Sequence, residues 1–584
     1  MGEQKNLILA VVLTFVILIG FQYLAPAPTP PPVQTQQNAG QIEPATVSAG
    51  QDIEGLTPQL PAGADAAVPS LAPAQPDVTR TRQEALAASG RIEIVSPRLR
   101  GSIPITGRRI DDILLSDYTE TQDADSTNIV LLSPAGARNA YYAEFGWASV
   151  PGANVATPSP DTVWTADRAK LGIGQPVTLT WDSDQGLRFT RTYAIDDNYM
   201  FTITQRVVNT TSSPVTLAPF GLISRTGTPD TSGFVILHEG ALGAFENALL
   251  EVDYEEMREA QRIEKTSVGG WIGITDKYWL TALIPDQNSH VTGHFNHRLS
   301  GGQDKYQVDF LLEAQSIPAG GSIETASRLF AGAKEVRLID GYEKSLGIAR
   351  FDRAIDWGWL FWLTKPIFML LGWINDLIGN FGLAILVLTV VIKALFFPLA
   401  NKSYVQMGKM KKLQPKMTAI RETFADDKVR QQQEMMALYK KEQVNPMGGC
   451  LPMLVQIPVF FALYKVLFVT IEMRHAPFFG WVQDLSAPDE LLWLNLFGLI
   501  PWDPPGLLAI GVWPVLMGVS MFLQQKLNPQ PADPMQAKVF MIMPVMFTFL
   551  LATFPVGLVI YWTWNNMLTM AQQWVIMKRT EAES

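Results

Sequence analysis

A single cysteine, Cys450, excludes any internal disulfide framework and any cysteine-rich metal site. Charged residues are scarce at 17% and sum to a formal −10, which argues against a general nucleic-acid binder. Residues 90–334 show no nucleophile motif and no glycine-rich phosphate loop, which leaves that stretch a binding or spacing module. The long apolar runs contain no Asp or Glu, and there are no broken-helix repeats, which speaks against a coupled solute transporter or channel, the rival reading. What the chain does have is apolar residue, 47% of 584 positions, concentrated near the start and after residue 357. That distribution describes an integral membrane protein carrying one large soluble domain.

Leu7 to Leu24 is an 18-residue apolar run behind Lys5, too long for an ordinary signal core, and Pro28 follows the apparent cleavage motif Ala25-Pro26-Ala27. Residues 1–24 are therefore expected to be an uncleaved transmembrane anchor. Residues 25–89, rich in Pro, Ala, Gln and Thr, are expected to be an unfolded tether. From 90 to 334 the pattern changes to short alternating runs between turn residues: RIEIV, NIVLL, TVWTA, PVTLTW, LRFTRTYAI, MFTITQRVV, WIGIT, YWLTALI and KYQVDFLL. Such period-two runs predict a large antiparallel β-sandwich. His290, His294 and His297 lie at a spacing unsuited to a metal site and are expected on solvent-exposed strand and loop.

Residues 335–380 are amphipathic and then apolar, with Trp357, Trp359, Trp362 and Trp373. Counting them as a span would put Lys402 to Lys441, with ten Lys/Arg against four acids, on the same side as the β-domain. The positive-inside tendency places that basic loop in the cytoplasm, so 335–380 is expected to lie in the outer interface. The loop, within 401–449, reads as two helices hinged at Phe424 to Asp427, with Met407, Met410, Met417, Met435 and Met436 giving an adaptable surface or the hairpin seam.

The run Phe381 to Pro398, within a second span at 381–400, contains Lys393, with Thr389 one turn earlier on the same face. A lysine at a helix centre in hydrocarbon costs roughly 2.5–3.5 kcal/mol, which points to a wet cavity unless the side chain snorkels to the interface. Four more spans fill 450–577: Leu451 to Ile471, Leu507 to Leu523, Val539 to Phe554 and Val556 to Ile576. Leu491 to Trp502 is apolar but short and reads as interfacial. With the anchor, the fold class is a polytopic α-helical membrane protein of six transmembrane helices. It carries a large periplasmic β-sandwich, has both termini cytoplasmic, and ends in a short tail at 578–584. Polar residues recur in the spans: Gln456, Tyr464, Gln524, Gln525, Tyr561, Thr563, Asn565 and Asn566. Singly they suit interhelical hydrogen bonds; together with Lys393 they suggest a polar groove bearing one cation.

The run KMKKLQPKMTAIRETFADDKVRQQQEMMALYKKEQVNPMGGCLPMLVQIPVFFALYKVL, followed by ADPMQAKVFMIMPVMFTF and FPVGLVIYW, closely resembles the membrane module of the bacterial YidC insertase family, relatives of the mitochondrial Oxa proteins. The match spans 340 to 577, and the anchor, tether and sandwich fit the long Gram-negative form. The resemblance implies insertion and folding of inner-membrane proteins, alone or with the Sec translocon, without cofactor or metal. It implies nascent inner-membrane proteins and lipids as partners, and the ribosome as a candidate, although the seven residues after Met577 are too few for docking through a long basic tail. The family's groove cation, usually arginine, maps to Lys393, a departure that keeps the charge and loses the bidentate fork. Groove and substrate contacts are expected at Lys393, Thr389, Gln456, Tyr464, Tyr561, Trp562, Thr563 and Asn565. Substrate capture by the cytoplasmic hairpin is expected at Met407, Lys409, Met410, Lys411, Lys412, Met435 and Met436.

Overall fold

The computed structural model describes residues 80–150, 155–231, 237–444, 451–502, 504–505, 508–528 and 534–582. The anchor and all but the end of the tether lie outside these residues. The described chain divides into two compact units, one ending at Asp356 and one beginning at Trp357.

The first unit holds a nine-stranded and a seven-stranded sheet, both antiparallel throughout, and a five-stranded sheet. A single parallel pair, Arg91–Val95 with Lys170–Gly172, closes one edge of the smallest sheet. Strand Leu187–Ile195 alternates between inward and outward residues, as a strand with one covered face must. The two large sheets pack face to face. Phe245 of one meets Phe295 of the other edge-on at 6.0 Å, and Tyr141 donates to the Ile274 carbonyl at 3.4 Å. Gly293 permits that approach, because a Cβ there would stand 2.6 Å from the Phe245 ring. Strand Tyr141–Ser149 shows no alternation and is buried almost end to end. Its one carboxylate, Glu144, is neutralised by Arg108 at 3.2 Å and Arg109 at 2.8 Å.

Three expectations change here. The end of the tether is folded: helix α1 (Arg82–Ala87) is capped by Thr81 and Glu84, and Arg82 pairs with buried Asp112. The histidines share strand His290–Ser300, and only His290 is exposed. His294 is fully buried, with Nδ1 2.8 Å from Asp309 Oδ1, and His297 meets Asp304 at 2.9 Å. Asp309 is itself wholly buried and also accepts from Asn296 at 3.0 Å and Gln307 at 2.7 Å. A buried carboxylate needs such donors, which accounts for polar residues inside the sheet. Among the described residues no group of three or more metal-ligating side chains is placed to hold an ion. Finally, the unit continues past Lys334. After helix α2 (Tyr254–Ala260), helix α3 (Val336–Leu346) buries Ile339 and Tyr342, and Phe351 packs edge-on against Trp271 at 5.4 Å. Residues 335–356 therefore belong to the β unit rather than to the interfacial segment.

Lys334 is completely enclosed, donating to Thr275 Oγ1 at 2.7 Å, and burial pushes its amine down to about 8 despite Asp356, Asp276 and Glu239 nearby. The folded unit thus releases this proton near pH 8, whereas the unfolded chain holds it to 10.5. Between those values the unfolded state binds more protons, so stability rises with pH, by up to ~1.4 kcal/mol per unit. Calorimetry of the β-unit transition should show this rise in the wild type and its loss in Lys334→Met. Parallel profiles for the two would contradict it.

The second unit opens with helix α4 (Phe361–Ile378), which leaves Trp362, Trp373 and Leu377 exposed. Helix α5 (Phe381–Leu395) starts where the Asn380 side chain accepts from the Leu383 N–H at 2.9 Å. It ends short of the expected Pro398 because that proline lies at the start of helix α6 (Phe397–Thr423), and the two helices meet at 69°. Helix α7 (Lys428–Lys441) is capped by Asp427, and α8 (Leu451–Val469), α9 (Val512–Leu527), α10 (Pro534–Leu551) and α11 (Val556–Ala582) follow. Gly518 brings α9 against α10, since a Cβ there would lie 2.0 Å from Thr548 Oγ1. Among the described residues no single helix is long and apolar enough to cross a membrane. The bent pair α5 and α6 passes that test together.

Candidate functional site

The helices of the second unit line a half-open cavity of about 730 Å³ between α5, α6, α8, α9, α10 and α11. Helix α11 supplies its polar wall. Tyr561, Trp562, Asn565, Asn566, Thr569, Gln572 and Gln573 recur at three- and four-residue spacing and so share one face. Lys393 stands in the last turn of α5, where the helix carbonyls favour a cation, and its ammonium donates to Thr569 Oγ1 at 2.8 Å. Thr569 in turn donates to the Asn565 carbonyl at 2.6 Å. Across the cavity, Gln456 of α8 donates to the Tyr561 hydroxyl, and Asn566 donates to Ser520 Oγ of α9 at 3.0 Å. Gln573 donates to Asn528 Oδ1 at 3.2 Å.

Among the described lining residues Lys393 carries the only formal charge. Three buried amide atoms of the lining, Gln525 Nε2, Asn565 Oδ1 and Gln573 Oε1, have no hydrogen-bond partner among the described residues. Unpaired buried amides are costly, so this wall is built to be met by water or by polar groups of a guest. The opposite wall is apolar, with Ile457, Phe461, Met521 and Phe547, and Ile457 and Phe461 remain substantially exposed. The site can wet a polar segment on one side and hold an apolar one on the other.

Of the groove residues expected from sequence, Lys393, Gln456, Tyr561, Trp562 and Asn565 line this cavity. Three do not. Thr389 is buried with its hydroxyl donating to the Ile385 carbonyl of its own helix at 2.7 Å, and Thr563 does the same to Val559 at 2.8 Å. Both hydroxyls are satisfied locally, as β-branched hydroxyl residues in apolar helices commonly are. Tyr464 packs into an aromatic row with Phe468 at 5.7 Å and Phe554 at 5.4 Å. In the hairpin, Met410 and Met435 pack around Leu413, Met417 and Val444 in the α6–α7 seam, the second of the two readings of the methionine stripe. Met407 turns instead to the cavity, while Met436 and the neighbouring Lys409, Lys411 and Lys412 are exposed. Sequence reasoning missed Tyr404, Asn528, Thr569, Gln572 and Gln573. For the last three the signal was available, because they continue the helical spacing of Asn565 and Asn566.

Residues 91–370 match the family model described as the YidC periplasmic domain, and residues 373–583 match that described as the 60Kd inner membrane protein. The membrane protein insertase YidC of Methylobacterium sp. (strain 4-46) is 50% identical over 99% of this chain and 96% of its own length. The protein of that name from Methylorubrum extorquens (strain PA1) is also 50% identical, over 99% and 96%. A solved active YidC insertase with its first transmembrane domain resolved covers 83% of this chain and 92% of its own, at 18% identity and a TM-score of 0.35.

Proposed function

This chain belongs to the YidC family of membrane protein insertases, and we propose that it inserts inner-membrane proteins by lodging their polar segments in the cavity between α5 and α11 while their apolar helices pass along α8 into lipid. The observation that carries this reading is a single ammonium, Lys393, sharing one cavity lining with buried amide atoms that have no partner among the described residues. Such a wall lowers the cost of bringing a short hydrophilic segment part-way into the bilayer. The helices assist by being short. At ~1.5 Å per residue, the 15 residues of α5 and 16 of α9 reach only ~22 and ~24 Å, against a hydrocarbon core of ~30 Å, and a locally thinned bilayer follows. Transfer of the guest's apolar surface into lipid supplies the drive.

In this reading the chain crosses the inner membrane six times, by the run at Leu7 to Leu24 and by α5, α8, α9, α10 and α11. Both termini and the basic hairpin lie in the cytoplasm, and the β unit is periplasmic. The Sec translocon and the ribosome are proposed partners on the same footing. A photoreactive residue at Phe461, which lines the cavity, should crosslink a stalled nascent membrane protein, and one at Met541 on the outward face of α10 should not. Equal yields would contradict passage along the cavity.

The hairpin is proposed to capture substrate. Replacing 403–441 with a flexible linker should remove most early crosslinks to cytoplasmic nascent chains while the protein still accumulates in the membrane. Full crosslinking by the accumulated variant would rule out capture.

A further inference from the structure

Between α8 and α9 the chain makes a loop whose neck is fixed and whose tip is apolar. The neck is tied by the bridge between Leu492 and Gly511 and by hydrogen bonds from Trp493 N–H to the Ile510 carbonyl at 3.3 Å and from Val512 N–H to the Leu491 carbonyl at 3.0 Å. Buried Asp489 locks it. Its carboxylate accepts from Trp481 Nε1 at 2.9 Å, from the Leu491 N–H at 3.2 Å and, at 2.7 Å, from the Trp513 N–H in the first turn of α9. The tip carries no charge from Leu491 to Trp502. It exposes Trp493, Leu496, Phe497, Leu499, Ile500 and Trp502, Leu499 by 82%.

Two features separate this tip from an ordinary water-facing loop. Leu496 and Phe497 adopt φ of 51° and 62°, a left-handed conformation that bulky side chains rarely accept, so backbone strain is borne to present them outward. Every backbone N–H from Leu496 to Trp502 also finds an acceptor inside the loop. Leu496 donates to Trp493, Phe497 to Leu492, Gly498 to the Asn495 side chain, Leu499 to Leu496, Ile500 to the Asn495 carbonyl and Trp502 to Ile500; Pro501 has no N–H. A surface meant for water or for a polar protein rim has no need to bind its own donors, whereas each N–H taken internally lowers the cost of bringing this backbone into hydrocarbon. The loop also runs directly into α9, so the tip is continuous with the membrane-facing unit.

We propose that the 493–502 tip is a preformed plug seated in the lipid leaflet at the N-terminal end of α9, with Trp493 and Trp502 at the headgroup boundary. The neck holds this shape before lipid is met, so the plug fixes where α9 begins in the bilayer.

The test uses the full chain in the Cys450→Ser background, with Leu499→Cys carrying an environment-sensitive fluorophore, reconstituted in phosphatidylethanolamine–phosphatidylglycerol vesicles. Phosphatidylcholine brominated high on its acyl chain should quench most of the emission, phosphatidylcholine brominated near the chain end should quench little, and aqueous iodide should quench little. The same probe at Gln483→Cys, an exposed polar position before the neck, should respond only to iodide. Strong iodide quenching at 499, or equal lipid quenching at 483 and 499, would overturn the proposal. So would a 499 probe shielded in native membranes but open to iodide in pure-lipid vesicles, a result that would assign the tip to a protein partner. None of these failures would touch the insertase reading, because the chain floats with the vesicles in every case.

Discussion

Lys393→Met should reduce insertion of a substrate in proportion to the acidic residues of its translocated tail, by roughly tenfold per acid if each ion pair in a half-wet cavity is worth ~1–2 kcal/mol. A neutral tail should insert almost normally. Lys393→Arg should retain activity, because the charge survives and the longer fork can also reach toward Asn565 Oδ1, which has no partner among the described residues. Lys393→Glu should fail worst with acidic tails. Protease protection of matched substrates carrying zero, one or two acids reads the gradient directly. If all three variants insert all three tails equally, Lys393 merely caps the end of α5 and the cavity works without a cation.

The β unit should prove separable from insertion, and its removal must respect its real boundary. Strand Ser322–Ala333 lies between Trp279–Ile284 and Met200–Asn209 in the middle of the nine-stranded sheet, so a deletion ending near 325 would leave half a strand with unpaired backbone and exposed core. Joining Gln36 to Trp357 removes the unit whole. That protein should support growth when the native gene is shut off, and failure of a stably accumulated version would show that the β unit takes part in insertion. Glu144→Ala offers the complementary test inside the intact chain. Burial pushes this carboxyl up, but the guanidiniums of Arg109 and Arg108 outweigh burial and hold it below its usual range. Its stabilisation is therefore present above the unfolded-state value and lost as pH falls through the folded one. Removing it strands two arginines, one fully buried, at a cost of ~3–5 kcal/mol. Proteolysis should then cleave the β unit while insertion continues.

The outer architecture was legible because its signals are local. Period-two runs such as Leu187 to Ile195 sit half-covered in a sheet, and the alternation records that directly. Strand Tyr141–Ser149 escaped notice because it is covered on both faces, which erases the period. His294 misled for the converse reason: a polar residue satisfied inside a core reads, in sequence, like a polar residue in water. In the second unit the residue types of the cavity were visible but their directions were not. Thr389 lies one turn from Lys393, yet its hydroxyl bonds back to Ile385, and only coordinates distinguish a hydroxyl that lines a cavity from one that serves its own helix.

The size of the cavity has a consequence of its own. At ~30 Å³ per molecule, about 730 Å³ amounts to roughly two dozen waters, a load that on the proposed route a guest segment partly expels as it enters and that returns as it leaves. Insertion by that route should therefore carry an osmotic coefficient. A solute too large to enter should favour the occupied, drier cavity and retard its refilling, so that raised osmolality tightens capture while slowing release. Tails bulkier than that water volume would have to pass in instalments, each with its own exchange of solvent.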